Sequence, residues 1–369
     1  MPSPKPPLPR AKPVLTVDAT VYERVNELLP GPHGERVLLA RRLAPGQPPV
    51  HVLLKELAIP PADSVSVAIE RACRRLEEEV HLARYLQHPG IARVHALHPR
   101  PDALIVELEY VPGTSLDEAL NLALARQRHY PEPFLLYVGL RVAAVLAYAH
   151  ALVDEQGRPL GIVHRDLQPE RIRITPGGEV KLGDFGVACS LLPGRLPTSV
   201  TRPHGQALYA APEALFGEPV DARADLFSLG LVLLELGTGF HLYDLPHLKE
   251  SALNARLTDA DARRVARAGM AALEADLPFE QYERAALHAA VFRAEDVEFL
   301  AARLTSPLRA VLHQLLRTNR DERYASAEAL EADLRKLAEA AGTYGAADAA
   351  TELERLRRET GSSLMDELT

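Results

Sequence analysis

The sequence predicts an α+β protein with two lobes, a smaller β-rich lobe followed by a larger, mainly α-helical one. Two observations support this prediction. The apolar runs VLLARRL and VHVLLKEL, both before residue 60, are of strand type and are separated by turns rich in proline and glycine. After Pro112-Gly113 the apolar residues recur at the three- and four-residue spacing of helices. Because the strand-rich part precedes the helix-rich part instead of alternating with it, each part is expected to form its own layer.

Composition narrows the class of protein. The chain has 369 residues, enough for one large two-lobed domain or two ordinary ones, and 47% of them are hydrophobic, which is ample for a core. Its net charge of −8 argues against a nucleic-acid partner. The longest apolar run, 226–240, is interrupted by Ser228 and Glu235 and is too short to span a membrane. With no apolar secretory segment at the start, the cytoplasm is the expected location and no membrane association is expected.

The smaller lobe is expected over residues 21–109. Residues 1–20 are rich in proline and without periodicity, which predicts a disordered tail. Between the strand-type runs and the strand at 103–108, one helix is predicted from apolar residues at helical spacing, namely Ile69, Cys73, Leu76, Val80 and Ala83. A hinge is expected near residues 109–113, where Pro112-Gly113 breaks the chain.

The larger lobe is expected over residues 110–341, with a C-terminal tail at 342–369 that is partly helical and weakly anchored. Near 240–303 the segment DARRVARAGMAALEADLP predicts an additional amphipathic helix. A packing role is favoured for this insert. A partner protein would bind through the insert or through the proline-rich N-terminus, where Pro-x-x-Pro segments suit aromatic grooves.

The most informative motif is Ile162-Val163-His164-Arg165-Asp166, followed eighteen residues after Asp166 by Asp184-Phe185-Gly186. Phosphoryl transfer needs little covalent help from a protein, but it needs two carboxylates held in position. Further phrases occur in order along the chain: VHVLLKEL, the helix that contains Glu79, HRDLQPER, KLGDFG, YAAPE, DARADLFSLG and RDERYASAEAL. Together they resemble the protein kinase family, in particular its bacterial Ser/Thr members, over residues 21–336. The resemblance implies a bilobal protein-kinase-like fold and ATP-dependent transfer of phosphate to a protein substrate.

The resemblance assigns the catalytic residues. Asp166 would orient the substrate hydroxyl, with His164 as its internal scaffold. Arg165 would receive a phosphate on the activation segment. Lys55 would hold the α- and β-phosphates of ATP, paired with Glu79. In the run of acids at 77–79, Glu79 is the residue at the edge of the apolar stripe, whereas charge runs otherwise face solvent.

The resemblance also implies a nucleotide site, a metal site and supporting residues. The nucleotide-binding residues are Gly31, Gly34, Val37, Lys55, Glu109, Val111 and Arg171. Asp184, in Asp184-Phe185-Gly186, would bind Mg²⁺ against the β- and γ-phosphates. Glu213 would pair with Arg323. Asp225 would support the catalytic-loop backbone or cap its own helix, and Thr201 is the favoured phosphorylation site.

Three residues depart from the family pattern. Gln168 stands where a lysine is expected, and Gln206 where threonine or lysine is expected. Arg171 replaces an asparagine, and its guanidinium offers no acceptor to a second Mg²⁺, although it suits phosphate. These departures leave two hypotheses open, a weak Ser/Thr protein kinase and a pseudokinase that acts as a nucleotide-binding scaffold or regulator. A small-molecule phosphotransferase is disfavoured, because YAAPE and the Asp225 helix build a platform for peptides.

Overall fold

The computed structural model describes residues 13–28, 34–61, 66–188, 207–275 and 277–360. They form two compact units, and the chain passes from the first to the second after residue 111. That boundary lies two residues later than the sequence predicts, and residues 88–91 belong to the second unit although residues 92–111 return to the first. The fold-class prediction is confirmed, since the first unit is a β-sheet with one helix and the second is mainly helical.

The first unit contains one six-stranded sheet in the order β1-β2-β3-β4-β6-β5, with every neighbouring pair antiparallel. The strands are β1 (Pro13–Val17), β2 (Thr20–Glu27), β3 (Arg36–Leu43), β4 (Val50–Ala58), β5 (Val94–Pro99) and β6 (Ala103–Glu109). Alternate side chains of a strand point to opposite faces. On β6, Ile105 therefore packs with Leu54 on one face, whereas Val106 packs with Leu57 on the other.

The single helix of this unit, α1 (Val67–Ala83), covers the second of those faces. Ser66 begins the helix, and its hydroxyl accepts a hydrogen bond from the amide of Ile69. Leu76 of α1 packs in the same cluster as Leu57. Lys55 lies two residues before Leu57 on β4, so its side chain leaves the strand on the side that α1 covers.

The prediction of a disordered tail over residues 1–20 is wrong for its last third. Strand β1 pairs with β2, and Val17 lies opposite Thr20 across a tight turn. Leu15 is 5% exposed and packs with Tyr22 in the core of the sheet. The same cluster contains the more distant Leu38 and Ile105, and the proline-rich composition of the segment does not reveal these contacts. Residues 1–12 lie outside the described residues.

The second unit contains eleven described helices and a small antiparallel sheet in the order β7-β8-β9. The helices are α2 (Leu116–Ala125), α3 (Glu132–His150), α4 (Pro212–Leu215), α5 (Arg223–Thr238), α6 (Glu250–Arg256), α7 (Asp259–Glu274), α8 (Phe279–Val291), α9 (Ala294–Ala301), α10 (Ser306–Leu315), α11 (Ala327–Ala341) and α12 (Ala346–Thr360). The strands are β7 (Thr114–Ser115), β8 (Ile172–Ile174) and β9 (Val180–Leu182).

Helices α3 and α5 form the centre of this unit. Almost every residue of α5 is buried, including Leu226 and Phe227 with no exposed surface. By length and composition α3 is the one helix in the described ranges that is apolar enough to cross a membrane. Within its most apolar window, 61% is buried inside the fold, as expected for the core helix of a folded domain.

The segment near 240–303, predicted as an insert, forms α6, α7, α8 and α9. Helix α7 packs on α8 through Val265 and Ala268, which contact Ala286. A Cβ atom added at Gly269 would lie 2.8 Å from the ring of Phe279, so the two helices approach closely there. These contacts give the amphipathic stripe of α7 a packing role.

The prediction that the C-terminal tail is weakly anchored is wrong for α12. Its apolar residues Ala349, Leu353 and Leu356 are at most 4% exposed. Helix α12 begins at Ala346, whose carbonyl oxygen lies close to Gly178. A Cβ atom added at Gly178 would be 1.7 Å from that oxygen. Glycine is required at 178 for this approach and for its positive φ of 86°. Residues 361–369 lie outside the described part of the chain.

Candidate functional site

A short hairpin positions the first part of the site. Strands β8 and β9 pair with Ile172 opposite Leu182, and the amide of Gly183 donates to the carbonyl oxygen of Arg171 at 2.9 Å. Arg171 immediately precedes β8 and Asp184 shortly follows β9, so the register of the hairpin brings both residues to the same end of the sheet. Asp184 has a positive φ of 63°, a conformation that costs free energy for a residue with a side chain.

The loop that carries Asp166 is anchored by a buried carboxylate. Asp225 has no exposed surface and accepts hydrogen bonds from the amides of His164 (2.8 Å) and Arg165 (2.9 Å). His150 Nε2 lies 2.8 Å from the same carboxylate. Burial alone would raise the pKa of Asp225, but the hydrogen bonds from His150 and the loop lower it below its ordinary value. Asp225 lies inside the first turn of α5, after the capping residue Ala222, so it supports the loop and does not cap the helix.

His164 connects this loop to the Asp184-Phe185-Gly186 segment. It has no exposed surface, and its Nε2 lies 3.1 Å from the carbonyl oxygen of Gly183. Its Nδ1 accepts a hydrogen bond from the amide of Asp166 at 3.2 Å. These partners assign the proton of the neutral ring to Nε2. The ring also packs edge-on against Phe185, with 4.5 Å between centroids, and Gly186 follows in the 3₁₀ turn Phe185–Val187.

The central feature of the site is the Arg171 guanidinium, which joins the two acids. Its Nε and Nη2 lie 3.0 and 2.9 Å from Oδ2 of Asp166. Its Nη1 lies 2.8 Å from Oδ2 of Asp184. The carboxylates of Asp166 and Asp184, eighteen residues apart in sequence, therefore converge on one cation. Burial alone would lower the pKa of Arg171, but the charges of Asp184 and Asp166 outweigh it and raise the pKa, so the guanidinium stays charged.

Gln168 occupies the other oxygen of Asp166. Its Nε2 donates to Oδ1 at 2.8 Å, and the glutamine is only 5% exposed. Both oxygens of Asp166 thus accept hydrogen bonds from side chains of the same loop. The neutral Gln168 amide holds the acid in place but supplies no charge to a transferring phosphate.

The donor set at Asp184 does not fit the predicted Mg²⁺ ion. Mg²⁺ takes six oxygen ligands at about 2.0–2.1 Å, and in nucleotide sites one or two of them are protein carboxylates while water and phosphate supply the others. Oδ2 of Asp184 already accepts from Arg171, whose positive charge would lie next to the metal. Across the described ranges, no group of three or more His, Cys, Asp or Glu side chains gathers to hold a metal.

The first unit contains the predicted phosphate-binding lysine. Lys55 Nζ lies 3.4 Å from Oε1 of Glu79, and the two side chains are 17% and 3% exposed. Glu77, two residues earlier on α1, faces solvent, as expected for the rest of that acidic run. Val37 pairs directly with Lys55 across β3 and β4. The structure therefore brings together the pair that the sequence selected from three neighbouring acids.

The other predicted nucleotide-binding residues are distributed along the first unit. Gly34 has a positive φ of 83°, with no atom within 4 Å of where its Cβ would lie. Glu109, at the end of β6, accepts a hydrogen bond from the amide of Arg93 at 3.0 Å. Val111 is buried. Gly31 falls outside the described residues.

The predicted pair Glu213 and Arg323 is present deep inside the second unit. Nη1 and Nη2 of Arg323 lie 2.7 and 2.8 Å from the two oxygens of Glu213. The side chains are 0% and 5% exposed for Arg323 and Glu213, respectively. The pair fixes the end of the YAAPE segment and has a structural role. Thr201, the favoured phosphorylation site, and Gln206 lie outside the described residues.

A second pair, the partly buried Tyr209 and Glu235, was not recognised in the sequence. The Tyr209 hydroxyl lies 2.5 Å from Oε2 of Glu235. Burial, together with the charges of Asp244, Glu170 and Asp117, raises the pKa of Glu235 to about 7, although the hydrogen bond from Tyr209 opposes this. The signal in the sequence was an isolated acid within the apolar run 226–240.

This pair predicts a pH dependence of stability. A carboxyl with a pKa of 4.5 when unfolded and about 7 when folded binds more protons in the folded state between these values. The free energy of unfolding should therefore fall as pH rises from 4.5 to 7, by about 3 kcal/mol for this group. Glu235→Gln, which keeps an acceptor for Tyr209, should remove that part of the slope in urea unfolding series. Parallel pH profiles for the variant and the unmodified protein would contradict the assignment.

Comparison with known proteins finds a family match and several relatives. Residues 57–334 match the model of the protein kinase domain. The chain is 35% identical over 221 residues to the tyrosine-protein kinase MasK of Myxococcus xanthus, covering 59% of this chain and 32% of that protein. It is 30% identical over 223 residues to the serine/threonine-protein kinase PrkC of Bacillus subtilis, covering 58% and 32%. It is also 30% identical over 236 residues to a human serine/threonine-protein kinase, covering 63% and 58%.

The chain spans about a third of the length of these two bacterial relatives. Their names include both tyrosine and serine/threonine specificity. The family match begins at residue 57, so it includes α1 with Glu79 but not Lys55, Gly31 or Gly34. It ends at residue 334, before α12.

Proposed function

Because the chain belongs to the protein kinase domain family, we propose that it is an ATP-dependent protein kinase with a low rate of transfer to serine and threonine hydroxyls. The family generally uses ATP with Mg²⁺. The observation that supports the proposal is the convergence of Asp166 and Asp184 on a single cation. Phosphoryl transfer in kinases uses one acid to orient the hydroxyl and a second acid near the phosphates, together with positive charge there.

The side chains supply three elements of the reaction. Asp166 orients the substrate hydroxyl and accepts its proton as the oxygen attacks the γ-phosphorus and the bond to the β-phosphate oxygen breaks. Lys55, held by Glu79, neutralises the α- and β-phosphates. The Arg171 guanidinium contributes positive charge beside the acids, and its geometry suits phosphate oxygens.

Transfer should be slow because of what surrounds Asp166. Gln168 and Arg171 engage both of its oxygens, which lowers its ability to accept a further hydrogen bond. Gln168 also lacks the charge of the lysine usual at that position. Losing one charge-stabilising group of this kind commonly costs about 100- to 1000-fold in rate.

The experiment that tests the proposal is transfer of labelled phosphate from ATP to a mixture of protein substrates at high enzyme concentration. Transfer by the unmodified chain should be detectable, and Asp166→Asn should abolish it. Analysis of the labelled amino acids should find phosphoserine and phosphothreonine. Phosphotyrosine as the sole product would show that the specificity follows the Myxococcus relative, and the absence of transfer would reject the kinase proposal.

A second candidate function is that of a pseudokinase, a nucleotide-binding regulator without turnover. The same contacts favour this function, because Gln168 and Arg171, from the loop of Asp166 itself, already donate hydrogen bonds to its carboxylate. A chain of this kind would bind ATP but transfer no phosphate even at high enzyme concentration.

The remaining roles complete the proposal. A cytoplasmic location supplies the ATP, and phosphorylation of Thr201 would place a phosphate that Arg165 can bind. The partner is a protein substrate, and an additional partner would bind through the proline-rich N-terminus or the 240–303 segment.

A further inference from the structure

The Arg171 guanidinium lies where positive charge is needed for binding a triphosphate. It contacts Oδ2 of both Asp166 and Asp184, at 2.9 and 2.8 Å. We propose that Arg171 takes the place of a divalent metal in this site, so that the chain binds ATP without Mg²⁺. This inference rests on the nucleotide binding proposed above and extends it to the ionic form of the nucleotide.

Charge counting supports the substitution. Two carboxylates with a neutral residue at 171 would have a net charge of −2, which attracts a divalent cation and repels an anion. With Arg171 the same three side chains have a net charge of −1. Compared with a neutral residue at position 171, Arg171 therefore lowers the affinity of the two acids for Mg²⁺ and reduces their repulsion of metal-free ATP. Because Asp184 and Asp166 raise the pKa of Arg171, its guanidinium stays charged.

The geometry of the guanidinium also suits the role. It has five N–H donors in a planar fork, and the contacts to Asp166 and Asp184 involve one bond from each of its three nitrogens. Its side chain retains 22% exposure, so phosphate oxygens can reach the remaining N–H groups. Arginine binds phosphate in a bidentate manner without requiring dehydration of a metal.

The hairpin holds the cation in place. The main chain of Arg171 is fixed on both sides, since its amide donates to the carbonyl oxygen of Gln168 at 3.0 Å and its carbonyl oxygen accepts from Gly183 at 2.9 Å. The guanidinium is therefore positioned before a nucleotide binds. A preorganised cation loses less entropy on binding than a metal that must be recruited from solution.

The experiment is calorimetric titration of ATP into the full chain, once in buffer with EDTA and once with excess Mg²⁺. For the unmodified chain the two dissociation constants should agree within about threefold. Arg171→Asn should weaken binding in EDTA and should bind at least about tenfold more tightly with Mg²⁺ than without it. Adenosine, which has no phosphate, should bind both proteins equally.

Two further variants serve as controls. Arg158→Asn removes the same charge from an exposed pair with Asp154 and should leave both dissociation constants unchanged. Arg171→Lys keeps the charge without the planar fork, so its binding should remain independent of Mg²⁺ but be weaker than that of the unmodified chain. Thermal unfolding without ligand shows whether each variant is folded.

The outcomes separate this inference from the proposed function. ATP binding by the unmodified chain that requires Mg²⁺ would overturn the inference and leave the kinase proposal intact. Metal-independent binding without phosphate transfer would support the inference and select the pseudokinase. No binding of ATP under either condition would overturn both.

Discussion

Replacing Gln168 with lysine and Arg171 with asparagine is expected to increase phosphate transfer by at least about 100-fold. The double substitution removes both contacts that engage Asp166, the amide of Gln168 at 2.8 Å and the guanidinium of Arg171 at 2.9 Å. It also returns a positive charge to position 168 and a neutral oxygen to position 171. The measurement is the initial rate of labelled phosphate transfer in the presence of Mg²⁺.

The single variants distinguish the two contributions. Arg171→Asn alone should make transfer depend on Mg²⁺. Gln168→Lys alone should add positive charge beside Asp166 while Arg171 still contacts both acids, so its rate should increase less than that of the double variant. Asp166→Asn in the double-variant background must abolish the gained activity if the gain uses the same acid. An unchanged rate in the folded double variant would show that departures elsewhere, such as Gln206, limit transfer.

Arg323→Ala is expected to lower the free energy of unfolding by about 3–5 kcal/mol. It removes both hydrogen bonds to Glu213 and leaves that carboxylate buried without its partner. Arg323 also donates to the carbonyl oxygens of Arg317, Thr318 and Arg223 and lies over the ring of Phe227 at 4.8 Å. Those carbonyl groups would lose a donor as well.

Urea unfolding of the single and double variants measures this effect. Glu213→Gln should cost less than Arg323→Ala, because Arg323 retains its carbonyl acceptors. The double variant Glu213→Gln/Arg323→Ala should lose less free energy of unfolding than the two single variants lose together. Each single substitution already breaks the same ion pair, so its loss is counted twice in the sum. A loss below about 1 kcal/mol for Arg323→Ala, typical of an exposed pair, would contradict the structural role.

Local patterns in the sequence were sufficient for a strand-rich part followed by a helix-rich part, whereas the resemblance to the protein kinase family implied the pairs Lys55–Glu79 and Glu213–Arg323. Glu79 was separable from Glu77 because only Glu79 lies beside the apolar stripe of α1, and the structure places it 3.4 Å from Lys55. Asp225 had two possible roles, and its position inside the first turn of α5 decides between them. Strand β1 and helix α12 were not recognisable as anchored, because each depends on a few apolar contacts with distant segments.

The chemistry of Arg171 shows the same limit. Its replacement of asparagine was visible in the sequence, as was its inability to bind a metal. Which atoms it contacts depends on the register of β8 and β9, which sets Gly183 against Arg171 and thereby places Asp184 beside the guanidinium.

The sequence alone determined the class of fold, the identity of the two acids and the loss of charge at Gln168. The fold class follows from local spacing, which a single chain displays directly, and the other two follow from the resemblance of its motifs to the protein kinase family. Only the tertiary structure decided that Arg171 contacts both acids, that Gln168 engages the other oxygen of Asp166, and that Glu235 is a partly buried acid with a raised pKa. These properties arise from distances and burial, which depend on how separate segments pack against one another.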